Sequence, residues 1–215
     1  PHKCTITDDN QGDGAAKQRV SANIMASQLM KKWEEENRPA TPDEQKILSG
    51  YVGWGGLADA FDERKGNWAT EYLELKTVLT PEEYTTARAS TLNAHYTSST
   101  VIHAIYDAVE QMGFRQGNIL EPSMGVGTFF GLLPERMQQS CLYGVELDGI
   151  SGRIAKKLYP NAEITVAGFE TTDRRDFYDL AVGNVPFGDY KVNDKPYNKL
   201  GFSIHNYFFA KALDQ

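Results

Sequence analysis

Cysteine is nearly absent. Cys4 and Cys141 are the two in 215 residues, and their separation forms neither a metal-ligand nor a redox pattern. This argues against a disulfide framework and a structural metal, and points to a reducing cytoplasm. Cys141 opens an apolar segment and is expected in the core. Long apolar runs are missing too. None approaches the ~20 residues needed to cross a bilayer, and the start, Pro1-His2-Lys3-Cys4, lacks the apolar centre of a signal peptide. Positive charge is in short supply: 22 Lys and Arg against 29 Asp and Glu leave a net charge of −7. That balance is wrong for a free-standing nucleic-acid binder, which needs clustered cations for phosphates. Such a chain acts on nucleic acid only if another domain carries the affinity or one loop gathers the basic residues. What is present, 40% hydrophobic and 24% charged residues, is an ordinary globular composition. It suffices for one well-cored domain and a smaller accessory region.

Residues 1–18 are polar and rich in Gly and Asp, and are expected to be flexible. Residues 19–93 read as an all-helical cap. Val20, Ile24, Leu29 and Trp33 lie on one face of a helix over 19–36. Thr41-Pro42-Asp43-Glu44 and Thr80-Pro81-Glu82-Glu83 are two helix starts of the same kind, with Thr as N-cap, Pro first and Glu third. The helices they open run to about 49 and 91, and another covers about 68–79. Between them lies Tyr51-Val52-Gly53-Trp54-Gly55-Gly56-Leu57. It is either a turn with Trp54 plugged into the core, the favoured reading, or a loop that contacts a ligand.

From residue 94 the texture alternates. Helices are expected over about 98–112, 128–138, 149–158 and 203–213, and strands over about 118–120, 142–145, 163–166 and 180–182. That order predicts an α/β, doubly wound, Rossmann-like and mostly parallel sheet. Four strands are few for such a fold, so the domain over 94–215 is expected to be incomplete.

In open α/β sheets ligands sit just past the carboxyl ends of the strands. The first strand ends in Glu121-Pro122-Ser123-Met124-Gly125-Val126-Gly127-Thr128 and opens a helix. Gly125 and Gly127 permit close backbone approach to a ligand, but the spacing matches neither the dinucleotide fingerprint nor the phosphate loop with its Lys. Glu121 suits a cationic ligand, such as the sulfonium and ammonium of S-adenosylmethionine, better than a pyrophosphate. The second strand ends in Glu146, placed to accept from two ribose hydroxyls. Its other reading is a helix N-terminal carboxylate, a role Asp148 can fill as well. Phe169, after the third strand, either flanks a purine or fills the core. The fourth strand ends in Asn184-Val185-Pro186-Phe187, where an amide, a rigid turn and a ring meet. That combination suits a planar ring bearing an amine. Lys191, Lys195 and Lys199, interleaved with Tyr190 and Tyr197, form the local basic-aromatic loop in which a phosphate path is sought; a solvated flexible loop is the other reading.

These residues resemble the N6-adenine type of amino-methylating DNA methyltransferases, whose catalytic turn reads Asn-Pro-Pro-Tyr/Phe. Glu121, Pro122, Gly125 and Gly127 look like the family's glycine-bearing motif, Glu146 like its ribose acid, and Gly168-Phe169 like its Asp-Phe adenine pair without the acid. His95-Tyr96-Thr97 resembles the segment whose Thr helps hold the methionine end of the cofactor. Asn184-Val185-Pro186-Phe187 resembles the catalytic turn with Val185 in place of the first Pro. The likeness extends over about 19–214 to the methylase part of methylase–helicase proteins of conjugative elements and phages. It implies S-adenosyl-L-methionine as cofactor, DNA as partner through a recognition region largely absent from this chain, and a fused helicase. Two other functions fit the same residues: a methyltransferase acting on a protein glutamine amide, and a non-catalytic module of a larger DNA-processing protein.

Overall fold

The structure, a computed structural model, describes residues 16–36, 38, 40–92 and 96–215. Most of the expected flexible start, Cys4 among it, and His95 lie outside the described residues; 16–18 open the first helix instead.

Among the described residues of the first half, four α-helices stand out: α1 (Ala16–Glu36), α2 (Pro42–Ser49), α3 (Ala69–Val78) and α4 (Pro81–Ser90), with short 3-10 turns at Ala58–Phe61 and Gly66–Trp68. Two start as local chemistry dictates. Thr41 accepts from the Glu44 N–H at 3.2 Å while the Glu44 carboxylate accepts from the Thr41 N–H at 2.9 Å; Thr80 and Glu83 repeat the exchange at the same distances. Each pair satisfies two backbone donors that a helix start otherwise leaves unpaired.

The second half begins with α5 (Ser99–Gln111), followed by β1 (Asn118–Glu121), α6 (Thr128–Gly131), β2 (Cys141–Glu146), α7 (Gly149–Leu158), β3 (Glu163–Val166), β4 (Leu180–Ala181) and α8 (Ile204–Asp214). The strands pair in parallel in the order β3-β2-β1-β4. This is a Rossmann-like α/β sheet. The chain runs outward from β1 through β2 to β3, then returns to the opposite side of β1 as β4. Such a reversal opens a crevice at the carboxyl ends of the strands.

Two expectations change. The helix foreseen over 128–138 stops at Gly131. Pro134 has no N–H to continue the ladder, and a short 3-10 turn, Glu135–Met137, takes over. Cys141 is exposed rather than buried. It is the first residue of β2, whose burial rises along the strand until Gly144, Val145 and Glu146 are covered.

The helical region shares a hydrophobic core with one face of the sheet. Val20, Trp33, Leu48, Trp54 and Leu75 pack in one cluster with Phe130, Ile154, Tyr159 and Ile164. Ion pairs reinforce the contact: Arg153 on α7 reaches Glu34 at 3.0 Å and Glu83 at 2.6 Å, and Lys31 on α1 reaches Glu83 at 2.8 Å. Burial alone raises the Glu83 pKa, but these cations and the Thr80 N–H outweigh it and hold the carboxyl below its ordinary value. On the same face α5 packs through Ile102, Tyr106 and Val109 against Ile119 and Val182, while the opposite face is covered by α8, through Ile204, Tyr207 and Phe208 against Leu120 and Val145. Among the described residues, no helix is long and apolar enough to cross a membrane.

Candidate functional site

A cavity of about 660 Å³ lies at the carboxyl ends of the strands. Of the residues singled out from the sequence, Thr97, Glu121, Pro122, Gly125, Glu146, Phe169, Asn184, Val185, Pro186 and Tyr190 line it. Gly127, Phe187, Lys191, Lys195 and Lys199 do not.

The two acids define its chemistry. Glu121, the last residue of β1, is 2% exposed, and its Oε2 finds no hydrogen-bond partner among the described residues. Burial, and secondarily the charge of Glu146, pushes its carboxyl well above the usual range. Glu146, the last residue of β2, is better satisfied: one oxygen accepts from the Gly125 N–H and the other from the Asp148 N–H, both at 2.7 Å. Burial still lifts its pKa to about 7, against those two bonds. Each oxygen retains acceptor capacity. The helix-capping role open to Glu146 falls to Asp148, which accepts from the Ser151 N–H at 2.8 Å at the start of α7. No Lys, Arg or His is among the described residues lining the cavity. With Asp148 and Glu170 also on its lining, the cavity holds four carboxyls and no cation among the described residues, and the two buried ones are relieved by a ligand that brings positive charge and hydroxyl donors.

The loop after β1 needs its glycines. Gly125 and Gly127 both have left-handed backbone, with φ of 56° and 83°, a region other residues enter at a cost. Gly127 is set back from the cavity, and a side chain there would run into the ring of Tyr159. It shapes the loop and its packing. Phe169 fills the core as one of its readings had it, and it also reaches the cavity. It lines the cavity while stacked on Phe208 at 5.0 Å, 3% exposed. A side chain at Gly168 would collide with the carboxylate of Glu170, which also lines the cavity.

The turn after β4 reaches the same cavity. A Cβ at Gly183 would stand 3.2 Å from Cγ of Glu121, so the turn passes directly over the buried acid. Val185, where the resemblance expects proline, is half-buried against the cluster that contains Phe169, Tyr207 and Phe208. Its apolar side chain therefore has a packing role. Phe187 points away from the cavity. It is 50% exposed and tilted against His205, with ring centroids 5.7 Å apart.

The loop over 188–201 is not simply solvated. Asp194, 9% exposed, accepts from the Tyr207 hydroxyl at 2.8 Å and from Lys211 Nζ at 2.7 Å, and Lys211 is 3% exposed. This buried pair nails the loop to α8, while Lys191, Lys195 and Lys199 remain exposed. Lys191 borders a second, smaller cavity of about 240 Å³ with Asn193, Tyr197 and Asn198.

The sequence reading missed one wall. Ser49, Tyr51, Val52 and Gly53, with Thr86, Ala89 and Ser90 of α4, close the cavity from the helical side. The glycine-tryptophan stretch was the available signal. Trp54 is indeed buried, 2% exposed and edge-on to Tyr51 and Phe61, and it also lines the cavity together with Val52 and Gly53 beside it. Among the described residues, no group of three or more His, Cys, Asp or Glu could hold a metal ion.

Fold and cavity together define a Rossmann-like α/β protein with an acidic cavity at its topological switch point. No family model and no solved structure matches the chain. It is similar to the Defense against restriction protein B of Escherichia phage P1, 28% identical over 181 residues that cover 81% of this chain and 6% of that protein. It is also similar to the Type II methyltransferase M.CvrRI of Paramecium bursaria Chlorella virus XZ-6E, 38% identical over 79 residues that cover 36% of this chain and 21% of that protein. The chain thus spans a small part of either relative's length.

Proposed function

We propose that this chain transfers a methyl group from S-adenosylmethionine to the N6 amine of an adenine flipped out of DNA. The observation that carries the proposal is the shared cavity. Glu121, Glu146 and the Asn184 turn, which come from three different strands, line one shared cavity with no basic residue among its described lining. A relative named a type II methyltransferase supports methyl transfer, and a relative named for defence against restriction supports action on DNA.

The residues present fit this donor. Glu121, with a buried unpartnered oxygen, would pair with its cationic end. Glu146, held by two backbone N–H groups, would accept from its ribose hydroxyls, and Phe169 would lie against its adenine. When bound, the donor supplies an electrophilic methyl carbon: the amine nitrogen forms the new C–N bond, the C–S bond breaks, and a proton leaves the amine for solvent.

The acceptor needs positioning more than a base, because an exocyclic adenine amine is a poor nucleophile with its lone pair delocalised into the ring. The Asn184 side-chain oxygen and the Val185 carbonyl accept its two N–H bonds. That favours a pyramidal nitrogen whose lone pair is available for attack, so the catalysis is orientation plus electrostatics. Unstacking the base costs a few kcal/mol. An aromatic at the mouth offsets part of this at about 1–3 kcal/mol per stacked base. Tyr190 already lines the cavity; Phe187 must first leave His205.

The test is methyl-labelled donor with the intact protein and unmethylated DNA, followed by nucleoside analysis. Label in N6-methyladenine supports the proposal. Label in protein, or none in DNA despite donor binding, overturns it in favour of a glutamine methyltransferase or a non-catalytic module.

A further inference from the structure

Asn23 lies on α1 and does not line the cavity, yet its side chain is tied to the cavity wall. It is 0% exposed. A buried amide is costly unless its polar atoms are bonded, and here both ends are used. Nδ2 donates to the Gly53 carbonyl at 2.7 Å, and Oδ1 accepts from the Val52 N–H at 2.9 Å. An N–H can only donate and a carbonyl can only accept, so the amide has one workable orientation. The two backbone groups it serves are about thirty residues away, in a loop that belongs to no helix or strand. Without the amide those partly buried groups lose their partner.

The rest of the loop explains why this point matters. On either side of Val52 and Gly53, Tyr51 and Trp54 are 1% and 2% exposed and meet edge-on at 6.0 Å. Their rings anchor the loop to the core, and the whole stretch Tyr51, Val52, Gly53 and Trp54 lines the cavity. The amide pins the stretch between two anchored rings.

We propose that Asn23 is a positioning residue of the donor pocket. It holds the Val52–Gly53 backbone in the shape that closes the cavity, and so sets donor affinity from a helix outside the site. The inference rests on the reading of this cavity as the S-adenosylmethionine pocket.

The experiment is calorimetric binding of S-adenosylhomocysteine to the wild type, Asn23→Ala and Asn23→Asp, with thermal melts of each. Asn23→Ala weakens binding by about tenfold or more, the effect of losing a net hydrogen bond or two, at temperatures well below its melting point. Asn23→Asp keeps the acceptor for Val52 but donates to Gly53 only when protonated. Its affinity relative to wild type, measured at each pH, is therefore low at pH 8 and recovers towards pH 6, about the range that burial can bring a carboxyl into. A merely structural amide would lower the melting point and leave both affinities alone; that result overturns the proposal. If Asn23→Ala does not fold, the Asp series decides, and an affinity ratio independent of pH overturns it. Failure of the wild type to bind S-adenosylhomocysteine defeats the donor reading itself, a distinct outcome.

Discussion

The backbone N–H of Gly125 donates to the carboxylate of Glu146 at 2.7 Å, so the loop that follows β1 and the acid that ends β2 form one unit before any ligand arrives. The left-handed backbone at Gly125 then turns the chain into Val126 and Gly127. The bond orients Glu146 and offsets part of its burial, and burial still raises its pKa to about 7.

That value makes both stability and binding depend on pH. In the unfolded chain Glu146 ionises near 4.5, in the folded chain near 7. Between these values the folded state holds the extra proton, so the Glu146 contribution to stability is full below about 4.5 and falls as pH rises through about 7. Hydroxyl donors and a cation favour the ionised carboxyls, Glu121 shifting the same way. S-adenosylhomocysteine should therefore bind more tightly as pH rises from 6 to 8, by up to about tenfold per unit below the Glu146 pKa. Calorimetry in buffers of different ionisation heat should register proton release at pH 6. Affinity that is flat with pH would contradict this.

Glu121→Gln removes a buried ionisable group with an unpartnered oxygen and keeps the shape. Apo stability should rise by about 1 kcal/mol in urea denaturation, while donor affinity falls at least tenfold, the usual exchange of stability for function at a ligand site. A residue that only supports the fold would lose stability instead.

Lys211→Ala leaves the Asp194 carboxylate buried without its cation. The expected cost is about 3–5 kcal/mol in urea denaturation, with faster proteolysis within 188–201. Pairing Lys211→Met with Asp194→Asn should recover most of that loss.

Lys191, Lys195 and Lys199 are exposed on the anchored loop. Changing all three to Ala should lower the slope of log affinity for DNA against log salt by about 2–3, since each phosphate contact contributes about 0.9. Donor affinity should be unchanged. An unaltered slope would make the loop a structural strap and no phosphate path.

Local chemistry was the most legible part of this chain. The Thr41 and Thr80 helix starts need only residues within one turn, and β1 and β2 announce themselves as short apolar runs ending in glutamate. The short α6 was misread because the apolar pattern continues through Leu132 and Leu133 while Pro134 ends the hydrogen-bond ladder. The helical wall was legible only as an oddity. Gly53 and Trp54 both line the cavity, and Trp54 at the same time fills the core, a double role set by packing with residues far along the chain. Phe187 illustrates the same limit: its type was clear from sequence, and its packing on His205 was not.

The central claim is that Asn184 holds the acceptor amine while the acids hold the donor. The most direct measurement is labelled methyl transfer to DNA by the intact protein and its Asn184→Ala variant, beside calorimetry with S-adenosylhomocysteine. The account predicts that Asn184→Ala binds the donor product as the wild type does and loses methylation of DNA by at least about a hundredfold, the scale of removing a group that orients and stabilises the reacting centre. Unchanged turnover in that variant would contradict it.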